Sequence, residues 1–279
     1  MDQKKIAIIG LGLIGGSLGL AIKKASNSYY IIGSDHNQTH KDEALELGLV
    51  DECSDDIERI TQCDIIFLAI PVDAIIKAIN GFDNISQNTT IIDLGSTKHK
   101  ISTSIKDDLR QNFVAAHPMA GTEKFGPSAA FDSLYDDKIL VLCDLEQSGE
   151  HQAKVAKEIF ELINMNIVYM NSKNHDIHAA YISHMPHVLS YALANAVLAQ
   201  EDPKEILTLA SGGFKSMTRI AKSSANMWED IFRQNKDNLI TSIEHFDKEL
   251  HYCKELIEAE KWGELNQWMQ KANILHKIF

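Results

Sequence analysis

A histidine, His117, closes the apolar run FVAAHP, and a proline stands directly behind it. The run has the length and composition of a buried strand, so His117 belongs at a strand end. Neutral imidazole is the ordinary group for taking a hydroxyl proton near neutral pH. Pro118 confines the residue before it to extended backbone, which partly sets the imidazole's direction before any ligand arrives. A strand-end histidine satisfied by a hydrogen bond is the plainer account of such a residue taken by itself. Beyond it, Gly121 and Gly126 bracket a polar loop of Thr122, Glu123 and Lys124 that can wrap over a small molecule.

The segment IAIIGLGLIGGSLGLAI puts Gly10, Gly12 and Gly15 in G-x-G-x-x-G order where a strand ends and a helix begins. The first glycine permits a tight turn, the second lets backbone approach a pyrophosphate, and the third lets the helix pack closely. Leu13 and Ile14 open that helix, whose N-terminus faces the phosphates. YYIIGSD then supplies a second strand ending at Asp35, about twenty residues beyond Gly15, where a carboxylate accepts hydrogen bonds from ribose hydroxyls. Asp35 repels a 2′-phosphate, so NAD is expected over NADP; His36 and Asn37 stand close enough to leave the strictness of that choice open.

Two further strand ends fall on the same expected sheet edge. FLAIPV closes with Pro71 and Val72, which form either an apolar wall for the dinucleotide or simple packing. IIDLGSTK closes with Gly95 and Ser96, whose hydroxyl either caps the next helix or faces the substrate.

The stretch HDIHAAYISHMPHVLSYALANAVLAQ carries four histidines on a helical pattern. At about 100° per residue from His175, His178 falls at about 300°, His184 at about 180° and His187 at about 120°. The two pairs then lie on opposite faces, and one four-histidine metal site is excluded unless Pro186 kinks the helix severely. No metal is expected. Ser183, His184, His187 and Tyr191 share an arc of about 100°, a polar stripe on an apolar helix that calls for hydrogen-bonding neighbours or a ligand.

The elements that must carry these groups alternate in the first part of the chain. Apolar runs of strand length at 5–10, 30–34, 64–70, 89–94, 113–116, 138–143 and 166–170 are separated by helical or loop stretches. Near-continuous apolar strands alternating with helices imply an α/β fold with a mainly parallel sheet covered on both faces, a Rossmann-type dinucleotide-binding domain. From about His175 only helical patterns remain. The expected division is a nucleotide-binding domain at 1–171 and a helical domain at 172–279. In the second, Pro203 suits a helical first turn, 210–214 is a glycine-containing break, and 227–279 reads as two or three amphipathic helices.

Composition excludes several classes. Over 279 residues, 44% hydrophobic and 24% charged fits two ordinary globular domains. The 27 basic and 39 acidic residues leave a net charge of −12 and form no basic run, so no nucleic-acid partner is expected. The longest apolar run, 65–72, is far short of the ~20 residues of a membrane span, and the N-terminus reads as a strand rather than a signal peptide. A cytoplasmic protein without membrane association is expected. Cys53, Cys63, Cys143 and Cys253 show no metal or disulfide spacing and read as free thiols.

The stretches GLGLIGGSLGLAI, DLGSTK, HPMAGTEKFG, SHMPHVLSYAL and GGFKSMTRIAKSSANMWEDIF occur in that order between residues 10 and 232. Together they resemble the prephenate/arogenate dehydrogenase family, and its prephenate dehydrogenases in particular. The resemblance implies oxidative decarboxylation of prephenate to 4-hydroxyphenylpyruvate in tyrosine biosynthesis. A hydride leaves the hydroxyl-bearing ring carbon for NAD, a base takes the hydroxyl proton, and the ring carboxylate departs as CO₂. It also implies roles by motif position. His117 corresponds to the catalytic acceptor and Ser96 to a group orienting the hydroxyl. Ser183, His187, Thr122, Glu123 and Gly213 correspond to the substrate pocket, and Arg219 to a carboxylate-binding arginine. The helical part resembles a dimerisation domain, so a homodimer is implied. Because the chain stops soon after it, fused mutase or regulatory domains are not expected, and tyrosine inhibition would act at or near the active site.

Arogenate is the alternative substrate, and GTEKFG resembles the prephenate-using branch. Two rivals remain. A beta-hydroxyacid dehydrogenase needs a lysine and an asparagine early in the long interdomain helix, where this chain has histidines; KSSAN at 222–226 comes too late. A non-catalytic NAD-sensing module needs the glycine turn and Asp35 but gives no reason for His117 and Arg219 together.

Overall fold

A computed structural model describes residues 3–278, so the outermost ends of the two expected domains, residues 1, 2 and 279, lie outside the described residues. Eight strands form one sheet: β1 Lys4–Ile9, β2 Tyr29–Ser34, β3 Glu52–Cys53, β4 Ile65–Leu68, β5 Thr90–Asp93, β6 Phe113–Pro118, β7 Ile139–Cys143 and β8 Asn166–Met170. Their order is β3-β2-β1-β4-β5-β6-β7-β8, with β1 to β6 parallel, β7 antiparallel to β6, and β8 parallel to β7. Seven strands fall on the expected apolar runs. The unforeseen one, β3, is two half-buried residues with no apolar run to announce it.

Helices α1 Leu13–Ala25, α2 Gln38–Glu46, α3 Ile57–Thr61, α4 Val72–Asn80, α5 His99–Thr103 and α6 Glu150–Leu162 join these strands. One core layer unites Ile6, Ile8, Val114 and Ala116 with Leu18 and Ile22 of α1 and Ile159 and Phe160 of α6. The other unites Ala7, Ile66, Phe113 and Ala115 with Ile75 and Ile79 of α4 and Ile101 of α5. Side chains alternate across a strand, so His117 shares the second face with Phe113 and Ala115.

From Ser172 onward every described element is helical: α7 Ser172–Ala179, a π turn Ala180–His184, α8 Met185–Leu198, α9 Pro203–Thr208, α10 Gly212–Thr218, α11 Ala225–Gln234, α12 Lys236–Glu258 and α13 Trp262–Ala272, with short 3₁₀ turns at Arg219–Lys222 and Asn273–Lys277. Pro203 opens α9 as expected, with Asp202 accepting the amides of Lys204 and Glu205. The glycine-rich 210–214 stretch is more than a break, since α10 begins inside it.

The expected kink at Pro186 takes another form. A proline inside a helix lacks an N–H and presses on the carbonyl four residues earlier; here the widened π turn directly precedes it, at the start of α8. The widened turn holds one extra residue, so α8 is rotated by roughly 100° against the ideal wheel. His184, expected on the face opposite His175, shares a neighbour with the residue next to His175: Asn235 Nδ2 lies 2.7 Å from the Asp176 carbonyl oxygen and 3.1 Å from His184 Nδ1.

The helical part meets the sheet's carboxyl edge at several points, two of them at helix starts. Val72 N–H, at the start of α4, donates to Asp230 Oδ2 of α11 at 3.0 Å, and Asp73 pairs with Arg233 and Gln234. Asp176 of α7 accepts the amides of Lys98 and His99 at the start of α5, at 2.7 and 2.9 Å. All four cysteines are free thiols, Cys63 and Cys143 buried. Among the described residues no helix is long and apolar enough to cross a membrane, and no group of three or more His, Cys, Asp or Glu is arranged to hold a metal ion.

Candidate active site

β1 runs into Gly10, whose φ of +96° lies in the left-handed region. A Cβ there would come within 2.3 Å of the Ala69 carbonyl oxygen, and one at Gly15 within 1.9 Å of the Gly10 carbonyl oxygen. At Gly12 a Cβ would meet nothing within 4 Å, so the second glycine borders open space. No side chain caps α1 and its first turn has no acidic residue. The first-turn amides, those of Leu13 and Ile14 included, are therefore available to an anion. This cradle fits the pyrophosphate of a dinucleotide.

Asp35 has a second task that the sequence did not announce. Its Oδ2 accepts Leu11 N–H and its Oδ1 accepts Asn37 N–H, both at 2.9 Å, so the carboxylate braces the glycine turn. His36 Nδ1 lies 3.2 Å from Oδ1 and His40 Nδ1 3.4 Å from Oδ2, so a ribose hydroxyl would share these oxygens with the two imidazoles. Of the expected apolar wall, Pro71 is exposed, while Val72 is 2% exposed and belongs to the core. Packing accounts for Val72, and Pro71 alone remains a wall.

His117 lies beyond the last pairing of β6 with β5, Asp93 with Ala115, and is held on the other side by β7, opposite Val141. It therefore projects past the carboxyl edge of the parallel strands. Its Nδ1 is 2.8 Å from His175 Nε2, and His175 Nδ1 is 2.8 Å from Asp176 Oδ1. The helix-capping alternative for Ser96 falls away, because α5 starts at His99 and Asp176 takes its first amides. Half-buried Ser96 stays free to face a ligand.

Directly behind lies an ion pair of Lys98 and Asp93, both fully buried, with Nζ to Oδ1 at 2.5 Å. Lys98 Nζ also donates to the carbonyl of Ala116 at 2.7 Å, so the residue before His117 is tied to the pair. Asp93 Oδ1 also accepts Gly95 N–H at 2.7 Å, whereas Asp93 Oδ2 is buried without a partner among the described residues, so the pair is only partly compensated. Burial holds the His117 pKa well below the ordinary value, and the nearby Lys98 cation pushes it the same way. The imidazole is consequently neutral at physiological pH.

On the helical side, His187 Nδ1 donates to the Ser183 carbonyl at 2.9 Å and the ring stacks on Trp228, with centroids 3.5 Å apart. His187 Nε2 is then the ring nitrogen with a lone pair. Burial lowers the His187 pKa, the Ser183 carbonyl partly offsets this, and the Arg219 charge lowers it further, which puts Arg219 within electrostatic reach. Arg219 Nη1 pairs with Glu123 Oε2 at 2.6 Å, joining the loop after β6 to the segment after α10. Thr122 is exposed and its Oγ1 accepts Lys124 N–H at 3.2 Å. Gly213 is exposed, with nothing within 4 Å of a Cβ.

His184 is 1% exposed, accepts from Asn235 Nδ2 at 3.1 Å through Nδ1, and has its pKa pushed down to about 4, by burial first. Above pH ~6.5 the ring is neutral folded or unfolded; below it the unfolded chain takes a proton that the folded chain refuses until about pH 4. Stability should therefore fall as pH drops from ~6.5 toward 4, by roughly 2 kcal/mol at pH 4.5 from this residue. Urea unfolding of the wild type and His184→Asn at pH 7 and 4.5 measures it. An equal loss in both proteins would contradict the assignment.

The chain matches the family model described as the prephenate dehydrogenase nucleotide-binding domain over residues 18–169, and the prephenate dehydrogenase dimerization domain over 171–271. It is 32% identical over 280 residues to the prephenate dehydrogenase of Bacillus subtilis, covering 98% of this chain and 76% of that one. The chain belongs to the prephenate dehydrogenase family. A solved prephenate dehydrogenase from A. aeolicus, in complex with hydroxyphenyl propionate and NAD+, superposes with a TM-score of 0.92 at 32% identity, over 99% of this chain and 98% of that one. A Synechocystis arogenate dehydrogenase gives 0.79 at 28%, over 98% and 99%.

Within the prephenate dehydrogenase frame, the fold links His187 to Arg219 by charge and Arg219 to Glu123 by an ion pair, and it ties His117 to His175 of the helical part. It does not tie Thr122 or Gly213 to the others. Sequence reasoning weighed His175 only as a metal ligand and missed Asp176, Lys98, Asp93 and Trp228. The pairs His175-Asp176 at a helix start and Asp93 with Lys98 around a strand end were the available signals.

Proposed function

We propose that this chain carries out NAD-dependent oxidative decarboxylation of prephenate, working as a homodimer in the cytoplasm. The observation that carries the reading is His117 at the carboxyl edge of the sheet, neutral and half-buried, on the same edge as a glycine cradle with an open centre. When bound, NAD supplies the hydride acceptor. Gly10, Gly12, Leu13, Ile14, Gly15, Asp35 and Pro71 would hold it.

The chain's own work is proton handling and orientation. His117 accepts the ring hydroxyl proton, Ser96 orients that hydroxyl, and Arg219 holds a substrate carboxylate with a planar fork suited to it. Ser183, His187, Thr122, Glu123 and Gly213 complete the substrate side, with His187 offering Nε2 as an acceptor. Residues 1–171 serve the cofactor and 172–279 the substrate and the dimer. Ile182, Leu198, Leu209 and Met217 stand exposed on the helical part, apolar surface that a second copy would cover.

Arogenate is the second reading, favoured by the likeness to the Synechocystis enzyme. Purified protein with each substrate and each nicotinamide cofactor, followed by absorbance of the reduced cofactor, tests both readings. Turnover of arogenate alone would replace the first by the second, and no turnover of either would sink both.

A cofactor prediction follows from Asp35. NAD should be preferred over NADP, and Asp35→Asn should narrow the kcat/KM ratio by roughly tenfold, because the carboxylate both accepts from the ribose and repels a 2′-phosphate. Since Asp35 also braces the Leu11 amide, some loss of NAD affinity should accompany the change. Equal turnover with both cofactors in the wild type would refute it.

A further inference from the structure

A histidine acts as a base only through a nitrogen that carries no proton, and a neutral ring offers one of its two. Which one is decided by the partner of the other. At His117 that partner is not water but His175, on a different domain and 58 residues away in sequence. His175 is buried and in turn meets Asp176.

We infer that His175 and Asp176 are positioning residues that hold the His117 proton on Nδ1, leaving the Nε2 lone pair for the substrate hydroxyl. The inference rests on the reading of His117 as the base. The chain of donors runs from the far end. Asp176 accepts the amides of Lys98 and His99 as well as the approach of His175 Nδ1, so its oxygens face three donors. Burial alone would raise its pKa, but the hydrogen bonds from His175 and the two amides together bring it below the ordinary value, and Asp176 stays an ionised acceptor. His175 Nδ1 must then carry a proton. In neutral His175 the Nε2 is a bare acceptor, and 2.8 Å away His117 Nδ1 must be its donor. His117 Nε2 is what remains.

The proton count closes without a relay. The hydroxyl proton moves to His117 Nε2, giving an imidazolium whose Nδ1–H stays on the His175 bond. His175 keeps its own Nδ1 proton and Asp176 is not protonated. The Asp176 charge favours the imidazolium through the intervening ring and opposes the nearby cation of Lys98. The imidazolium then returns its Nε2 proton to water.

The direct test is nitrogen NMR of the full-length protein labelled with ¹⁵N-histidine at pH 8, with the His117 signals assigned by their loss in His117→Asn. A protonated Nδ1 and bare Nε2 on His117 is expected; a protonated Nε2 would overturn the inference even if His117 is the base. As a second arm, His175→Phe removes the acceptor and should lower kcat on prephenate by roughly 10- to 10³-fold, short of the ~10⁴ that a wrong tautomer costs in a serine-protease triad. KM for prephenate and the Kd for NAD+ should stay within about threefold. His175→Gln, whose amide oxygen can accept the Nδ1 proton, should regain part of the loss. A kcat within threefold of wild type in His175→Phe would also overturn the inference. Should that variant not fold, the wild-type tautomer still decides. The base reading fails separately, if His117→Asn retains near-normal kcat.

Discussion

His117→Asn is expected to lower kcat by roughly 10² to 10⁴ while NAD still binds, because the amide can hydrogen-bond but cannot take a proton. The glycine cradle and Asp35 owe nothing to this side chain, so cofactor affinity measured by fluorescence titration is the control. The pH profile carries the sharper content. An unperturbed imidazole would put the acidic limb near ~6.5. Burial first, and then the cation of Lys98, holds His117 well below that. The sign is that protonated His117 is inactive, so turnover rises with pH through the lowered value and is already on its plateau at neutral pH. In His117→Asn that limb should vanish. His184→Asn should leave it in place, since His184 bonds to Asn235 in the helical core and receives no substrate proton. A variant that retains kcat and the same limb would make His117 structural and turn the search for a base to His187.

The sequence carried the parts of this site that local rules determine. Strand-length apolar runs located the sheet, and the glycine spacing located the turn, because both express contacts within a few residues. His117 could be assigned to a strand end for the same reason. Its partners could not be read. His175 is 58 residues away, Asp176 meets α5 across 77 and 78, and Asp230 reaches Val72 across 158. Such pairings depend on how the helical part docks on the sheet edge, which no periodicity encodes. The π turn before Pro186 misled the helical wheel in the same manner, since one inserted residue rotates everything that follows. Ser96 shows how a local rule can be overruled. A serine ahead of a helix ordinarily caps it, but a carboxylate from the other domain performs that task here.

Arg219→Gln is expected to raise KM for the dianionic substrate by roughly 30- to 150-fold, about 2 to 3 kcal/mol, with NAD affinity nearly unchanged. In the structure the guanidinium already holds Glu123 at 2.6 Å, with the arginine side chain 56% exposed. An exposed pair of this kind contributes little by itself. The larger effect arises only when substrate covers the fork, and losing one partner then leaves a carboxylate desolvated and unpaired. Arg219→Lys should recover little, because an ammonium lacks the planar two-point geometry. Salt gives an independent reading. KM of the wild type should rise with ionic strength, as a charge pair near the surface is screened within about 8 to 10 Å. That slope should flatten in Arg219→Gln. If KM and its salt dependence are both unchanged by the substitution, Arg219 serves only to pair with Glu123, and another cation must hold the carboxylate.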